Sequence, residues 1–204
     1  MNKMKLFKKV LAVVLVGAMA VSMLTACGES AKTADIKSAL KKAGVSVSST
    51  MNKEADGAMD ALQDVTVALK ENDKNAVSNA QTKIAQMKEF SFTDDANAKY
   101  DLYIWTNSVY GRPGKSGNEG YYPYLMKFTS DHTGNRLQAL LTEKFVRQGE
   151  FKGADSDLEV LKKVLKDVPK AGISCQKVYG MDVLIVVVDK DAPVKNYTCI
   201  TIDD

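Results

Sequence analysis

The sequence predicts an α+β fold: an N-terminal helical segment built around a helical hairpin, then a mainly antiparallel sheet with two helices, in the order ββααβββ. Three observations predict it. Between residues 51 and 90, apolar side chains recur every three or four positions, the spacing of an amphipathic helix. From residue 100 onward, short runs rich in aromatic and β-branched residues replace that stripe. Those runs do not alternate one for one with helices, as a doubly wound parallel sheet requires.

The chain opens with a leader. Lys3, Lys5, Lys8 and Lys9 make a positive start, residues 10–21 are an uncharged apolar core, and small residues lead to Cys27. This is the layout of a secretory signal peptide. A retained membrane helix is the competing reading. The 18 residues from Val10 to Cys27 stand at the lower edge of a span, and Gly17, Ala18, Ala20, Ser22, Thr25 and Ala26 weaken it. Leu24-Thr25-Ala26-Cys27 resembles the lipobox of bacterial lipoproteins, a leucine and two small residues before a cysteine. The resemblance covers the first 28 residues. It implies a diacylglyceryl group on the Cys27 thiol, cleavage between Ala26 and Cys27, and a protein fixed to the cell membrane, facing outside the cytoplasm. A single acyl chain holds only marginally, at about 0.8 kcal/mol per buried CH₂, so two or more make a stable tether.

The chain then divides into a signal peptide (1–26), a lipid-anchored flexible spacer (27–34), a helical segment (35–92) and an α+β domain (93–204). Cleavage would leave 178 of the 204 residues, enough for one domain with a real core. The formal charge of +3 misleads, because four lysines belong to the leader. The remainder has 24 basic and 25 acidic residues, with no basic stripe to suggest a nucleic-acid partner.

Asp35 to Ala43 reads as a helix with an acidic start, late lysines and Gly44 as its stop. Residues 45–50 read as a link, with Ser49 or Thr50 capping the next helix. That helix, 51–71, carries Ala55, Ala58, Met59, Leu62, Val65, Thr66 and Leu69 on one stripe. Asn72-Asp73 marks a break and a new cap. A third helix, 74–90, follows with Val77, Ala80, Ile84 and Met87. The short link predicts an antiparallel hairpin. Mixed charges on its polar faces favour ordinary packing over a membrane-lying helix.

Asp101 to Val109 alternates, with Leu102 and Ile104 on one side and Tyr103 and Trp105 on the other, so both faces should be covered. Residues 121–129 form a second strand and 135–148 one amphipathic helix. Ser156-Asp157-Leu158-Glu159 has capping-box spacing and opens the next helix. Three strands follow, at 173–179, 182–188 and 197–202, with 184–188 central and a tight turn at Gly180-Met181.

Residues 110–121 carry glycine at 111, 114, 117 and 120. The run is far too short for collagen. Gly114-Lys115-Ser116 lacks the upstream glycine of a phosphate loop, since Val109 stands there. A mildly basic loop between strands remains. Six of the eight tyrosines and Trp105 fall within residues 100–124. One reading makes this a binding face for a surface polymer, peptide or protein, with Tyr110, Arg112, Lys115, Tyr121 and Tyr122 as contacts and Glu119 as a further anchor. The other makes it a packed core under a hairpin.

Cys175 and Cys199 form an even pair in an exported chain, so one disulfide or two buried thiols both fit. His132, the one histidine, lies in a polar turn where capping is its plain role. Tyr197-Thr198-Cys199 faintly resembles the Thr-Cys of sortases, which implies a cell-envelope hydrolase or transpeptidase using a cysteine with His132. Asn196 stands where that family needs leucine, and no arginine follows Cys199. No motif calls for a metal or other cofactor. A non-catalytic binding module is therefore the expected activity, with an envelope enzyme as the alternative.

Overall fold

The computed structural model describes residues 31–108 and 122–195. Six α-helices surround one five-stranded sheet: α1 (Ala31–Lys42), β1 (Ser46–Val47), α2 (Ser49–Lys70), α3 (Lys74–Ala85), β2 (Tyr100–Ser108), β3 (Tyr122–Lys127), α4 (Asn135–Leu140), α5 (Glu143–Gln148), α6 (Asp155–Val164), β4 (Lys170–Val178) and β5 (Met181–Asp189). Short 3₁₀ turns lie at Ser91–Thr93 and Ser130–His132.

The strand order is β1-β4-β5-β2-β3. β1 runs parallel to β4 and the other three pairings are antiparallel, so the sheet is mixed. β5, the β-branched run, is the middle strand, as expected. Tyr179 and Gly180 join β4 to β5 with φ of 51° and 79°, the two positive values of a tight hairpin turn. The turn is therefore one residue earlier than the sequence suggested. The strand expected at 197–202 lies outside the described residues.

Strand alternation splits the core in two. Leu102, Ile104, Phe128, Val183, Ile185 and Val187 face one way, under Met51, Ala55, Met59 and Leu62 of α2, Ile84 of α3, Leu137 of α4 and Val146 of α5. Tyr103, Trp105, Leu125, Ile173, Leu184, Val186 and Val188 face the other, under Ile36 and Leu40 of α1, Phe151, and Leu161 and Val164 of α6. The result is a layered arrangement with helices on both faces, which is why β2 and β5 are apolar on both sides.

Several expected boundaries are corrected. The three N-terminal helices do not form a segment apart from the sheet. α2 and α3 do pair, with Lys83 Nζ 2.8 Å from Asp64 Oδ2, but α1 packs on the opposite face. The link at 45–50 contains β1, and Ser48 rather than Ser49 or Thr50 caps α2, accepting from Met51 N–H. Asp73 caps α3 as expected, taking the N–H groups of Asn75 and Ala76. α3 stops at Ala85, because the chain turns to bond Glu89 O to Lys99 and Tyr100. The helix expected over 135–148 is two, since the Thr142 hydroxyl accepts from Phe145 N–H and restarts it. α1 is already helical at Ala31, so Asp35 lies inside it. Ala154, not Ser156, precedes α6, and the Asp157 carboxylate instead accepts from Lys152 N–H.

α2 also closes an edge. β1 is only two residues long, so among the described residues most of the outer edge of β4, away from β5, has no strand beside it. Asn52 Oδ1 accepts from Ile173 N–H at 2.9 Å, and Gln63 Nε2 donates to Lys177 O at 3.5 Å. Side chains of α2 thus take up groups that an exposed edge would offer to another chain.

Candidate functional site

The register fixes which loops share an end of the sheet. β5 pairs with β2 from Tyr100↔Asp189 to Ile104↔Ile185, and Ser108 pairs with Tyr122. Continued along the strands, that register sets Ser108 and Tyr122 level with Met181. The strand ends that bound residues 109–121 therefore lie at the same pole as the Tyr179–Gly180 turn. Tyr122 begins β3 there. Tyr110, Arg112, Lys115 and Tyr121 lie outside the described residues, as do Ala26, Cys27 and Cys199.

Leu69 at the end of α2 reaches this pole too. With Tyr179, Asn135, Gln138, Ala139, Leu141, Thr142 and Glu143 it lines a recess of about 470 Å³. Its polar groups are partly engaged. The Thr142 hydroxyl donates to Ala139 O, and Glu143 pairs with Arg147 at 2.8 Å.

Two buried carboxylates organise the sheet, and the sequence reading missed both as clusters. Asp182 on β5 has a side chain 4% exposed, with Lys32 Nζ at 2.5 Å and Lys177 Nζ at 3.0 Å. Lys32 also donates to Phe151 O at 3.1 Å. Asp101 on β2 is 0% exposed. Its Oδ2 accepts from Lys127 Nζ at 2.7 Å and from Asp191 N–H at 3.0 Å, and its Oδ1 from the Ser91 hydroxyl. Burial pushes both carboxyls up, but these donors outweigh it and hold both below the usual carboxylate value. The same surroundings act on Tyr103, whose phenol is pushed up to about 12 by burial and then by the charges of Asp101 and Asp191. The signal was present: each aspartate enters an apolar strand at a position whose neighbours two residues on face the core, and a charge there needs partners.

His132 performs the plain role. Its Nδ1 accepts from Thr129 N–H at 3.0 Å, and the Thr129 hydroxyl lies at 3.0 Å as well, closing a capping box around the 3₁₀ turn. Burial pulls its pKa below the ordinary imidazole value, against the pull of Asp131. The ring rests on Phe128, with centroids 5.3 Å apart, on the α2 side of the sheet. Cys175 is buried on the α1 and α6 side. The sheet therefore separates the histidine from that cysteine, and the two do not form the nucleophile and base that cysteine catalysis needs. Among the described residues no three His, Cys, Asp or Glu side chains group as metal ligands, and no helix is long and apolar enough to cross a membrane.

No protein family, curated protein or solved structure matches the chain.

Proposed function

We propose that this protein is a lipid-anchored extracytoplasmic lipoprotein whose body is a non-catalytic binding module for a surface polymer, peptide or protein. One observation carries the reading: a lysine-rich start, an uncharged apolar core and Leu24-Thr25-Ala26-Cys27 follow one another in the order that lipoprotein processing requires. The binding half rests on the aromatic and basic residues Tyr110, Arg112, Lys115, Tyr121 and Tyr122. It gains support from the way the described polar clusters are used up internally. Asp101 and Asp182 give their oxygens to lysines and N–H groups, and His132 gives its Nδ1 to a cap.

Cys27→Ala tests the anchor. The variant should accumulate as uncut precursor or leave the membrane fraction. Normal cutting with unchanged membrane retention would refute lipid attachment at this sulfur. Deleting residues 114–117 tests the loop: the melting temperature should hold while capture of the partner from intact cell surfaces is lost. Unfolding on deletion would make the loop structural.

A further inference from the structure

The start of α1 is bound to one end of the sheet. Lys32 Nζ reaches Asp182, Phe151 O accepts from the same ammonium, and Phe151 N–H donates to Asp182 O at 2.8 Å. Asp182 is paired with Lys177, next to the Tyr179–Gly180 turn. α1 then runs to the opposite end, where Ser46 pairs with Lys170. A tether at Cys27 would therefore enter the described body at the turn pole, through Lys32.

Lys32 stands five positions after Cys27, with residues 28–31 between them. Whatever the conformation, those five steps span at most about 18 Å. β4 has nine residues, so the far pole lies about 30 Å further along the strand direction. That far pole is marked by the Lys190 N–H bond to Lys99 O at 2.8 Å. A body held this closely by one end cannot present its ends to the bilayer equally.

We infer that the pole bearing the Tyr179–Gly180 turn, the end of α2 and Lys152 is the surface that rests against the phospholipid headgroups, with the Lys99 and Lys190 pole facing away. This rests on the lipid-anchor reading. The strand ends Ser108 and Tyr122, which bound residues 109–121, then lie on the membrane-facing side.

Lysine acylation by a membrane-impermeant reagent, read by mass spectrometry, tests the orientation on the full lipidated chain in vesicles. Lys70, Lys74 and Lys152 are exposed at the near pole, and Lys99 and Lys190 at the far one. A second form carries a Gly/Ser insertion of ~20 residues after Gly28, with a root-mean-square span of about 25 Å, and should raise near-pole acylation about threefold while leaving Lys99 and Lys190 unchanged. Equal rates at both poles before insertion, or no change after it, in a chain that stays in the membrane fraction, overturn the orientation alone. Loss of the unmodified chain from the membrane fraction overturns the anchor and the orientation with it.

Discussion

Lys32 Nζ stands 2.5 Å from Asp182 Oδ2, tying the first helix to the central strand of the sheet. The carboxylate is buried while both lysines that hold it, Lys32 and Lys177, keep part of their side chains in water. Removing the carboxylate charge therefore leaves no lysine stranded in the core, and the loss is moderate. Asp182→Asn should cost about 1–3 kcal/mol, the range for losing charged hydrogen bonds at a buried site. The measurement is the urea midpoint at pH 7. A change under about 0.3 kcal/mol would mean the pair adds nothing measurable, as many exposed pairs do.

The second carboxylate makes stability depend on acid. The folded Asp101 carboxyl titrates below its ordinary value, and so does Asp182. The folded state thus holds fewer protons than the unfolded chain, whose aspartates titrate near about 3.9. Stability from these groups is fully present above that value and is lost as pH falls from it through the lowered folded values. The part of the urea midpoint that these two carboxyls supply should be flat from neutral pH to about pH 5 and fall below about pH 4. His132, whose folded pKa is lowered by burial, adds a separate loss as pH falls through the imidazole range. Asp101→Asn should lower the plateau and flatten the acid limb. An acid limb of unchanged slope in that variant would remove Asp101 from the explanation.

How much of this was legible can be judged residue by residue. Strong periodicity gave α2, α3, β2 and β5, because a repeated apolar stripe or run outweighs local exceptions. It even gave the covering of β2 on both faces, from Leu102 and Ile104 against Tyr103 and Trp105. β1 was not legible: two residues carry no period, and the strand forms because Ser46 N–H and Ser48 N–H find Pro169 O and Ala171 O across the chain. The division of the helices between two faces was hidden too. A stripe says that a helix is buried on one side, not against which side of a sheet. Of the candidate site, His132 as a cap was readable from its polar turn. The clusters around Asp101 and Asp182 needed Lys32, Lys127 and Ser91 brought from distant positions. The aromatic and basic residues 110, 112, 115 and 121 are seen only as sequence.

Gly172 is held by contact rather than by turn geometry. A Cβ built there would fall 2.1 Å from the Met51 carbonyl carbon and 2.3 Å from its oxygen, both backbone atoms. α2 lies directly on β4 at this point, next to the Asn52 bond to Ile173. Backbone cannot swing aside as a side-chain tip can, so Gly172→Ala must separate helix from strand. It should cost about 3 kcal/mol or more, at the upper end of overpacking changes. Gly57→Ala is the control, because nothing lies within 4 Å of its added Cβ and the helix interior favours alanine by about 0.5–1 kcal/mol. Thermal melts of the two should move in opposite directions. Equal melts would show that α2 is not seated on β4 in this way.

Trp105 is 1% exposed, and its Nε1 has no hydrogen-bond partner among the described residues. The ring packs edge-on to Phe151, with centroids 5.0 Å apart. Two effects therefore oppose each other at this position. The ring contributes packing, and the unpaired N–H costs about 1–3 kcal/mol through its lost hydration. Trp105→Phe keeps an aromatic edge near Phe151 and removes the unpaired donor, so the smaller ring and the relieved polar group should offset to within about 1 kcal/mol. Trp105→Ala removes both and leaves a cavity, and should cost about 3–5 kcal/mol. Urea unfolding separates the outcomes. If Trp105→Phe is as damaging as Trp105→Ala, the indole N–H has a partner and the offset does not exist.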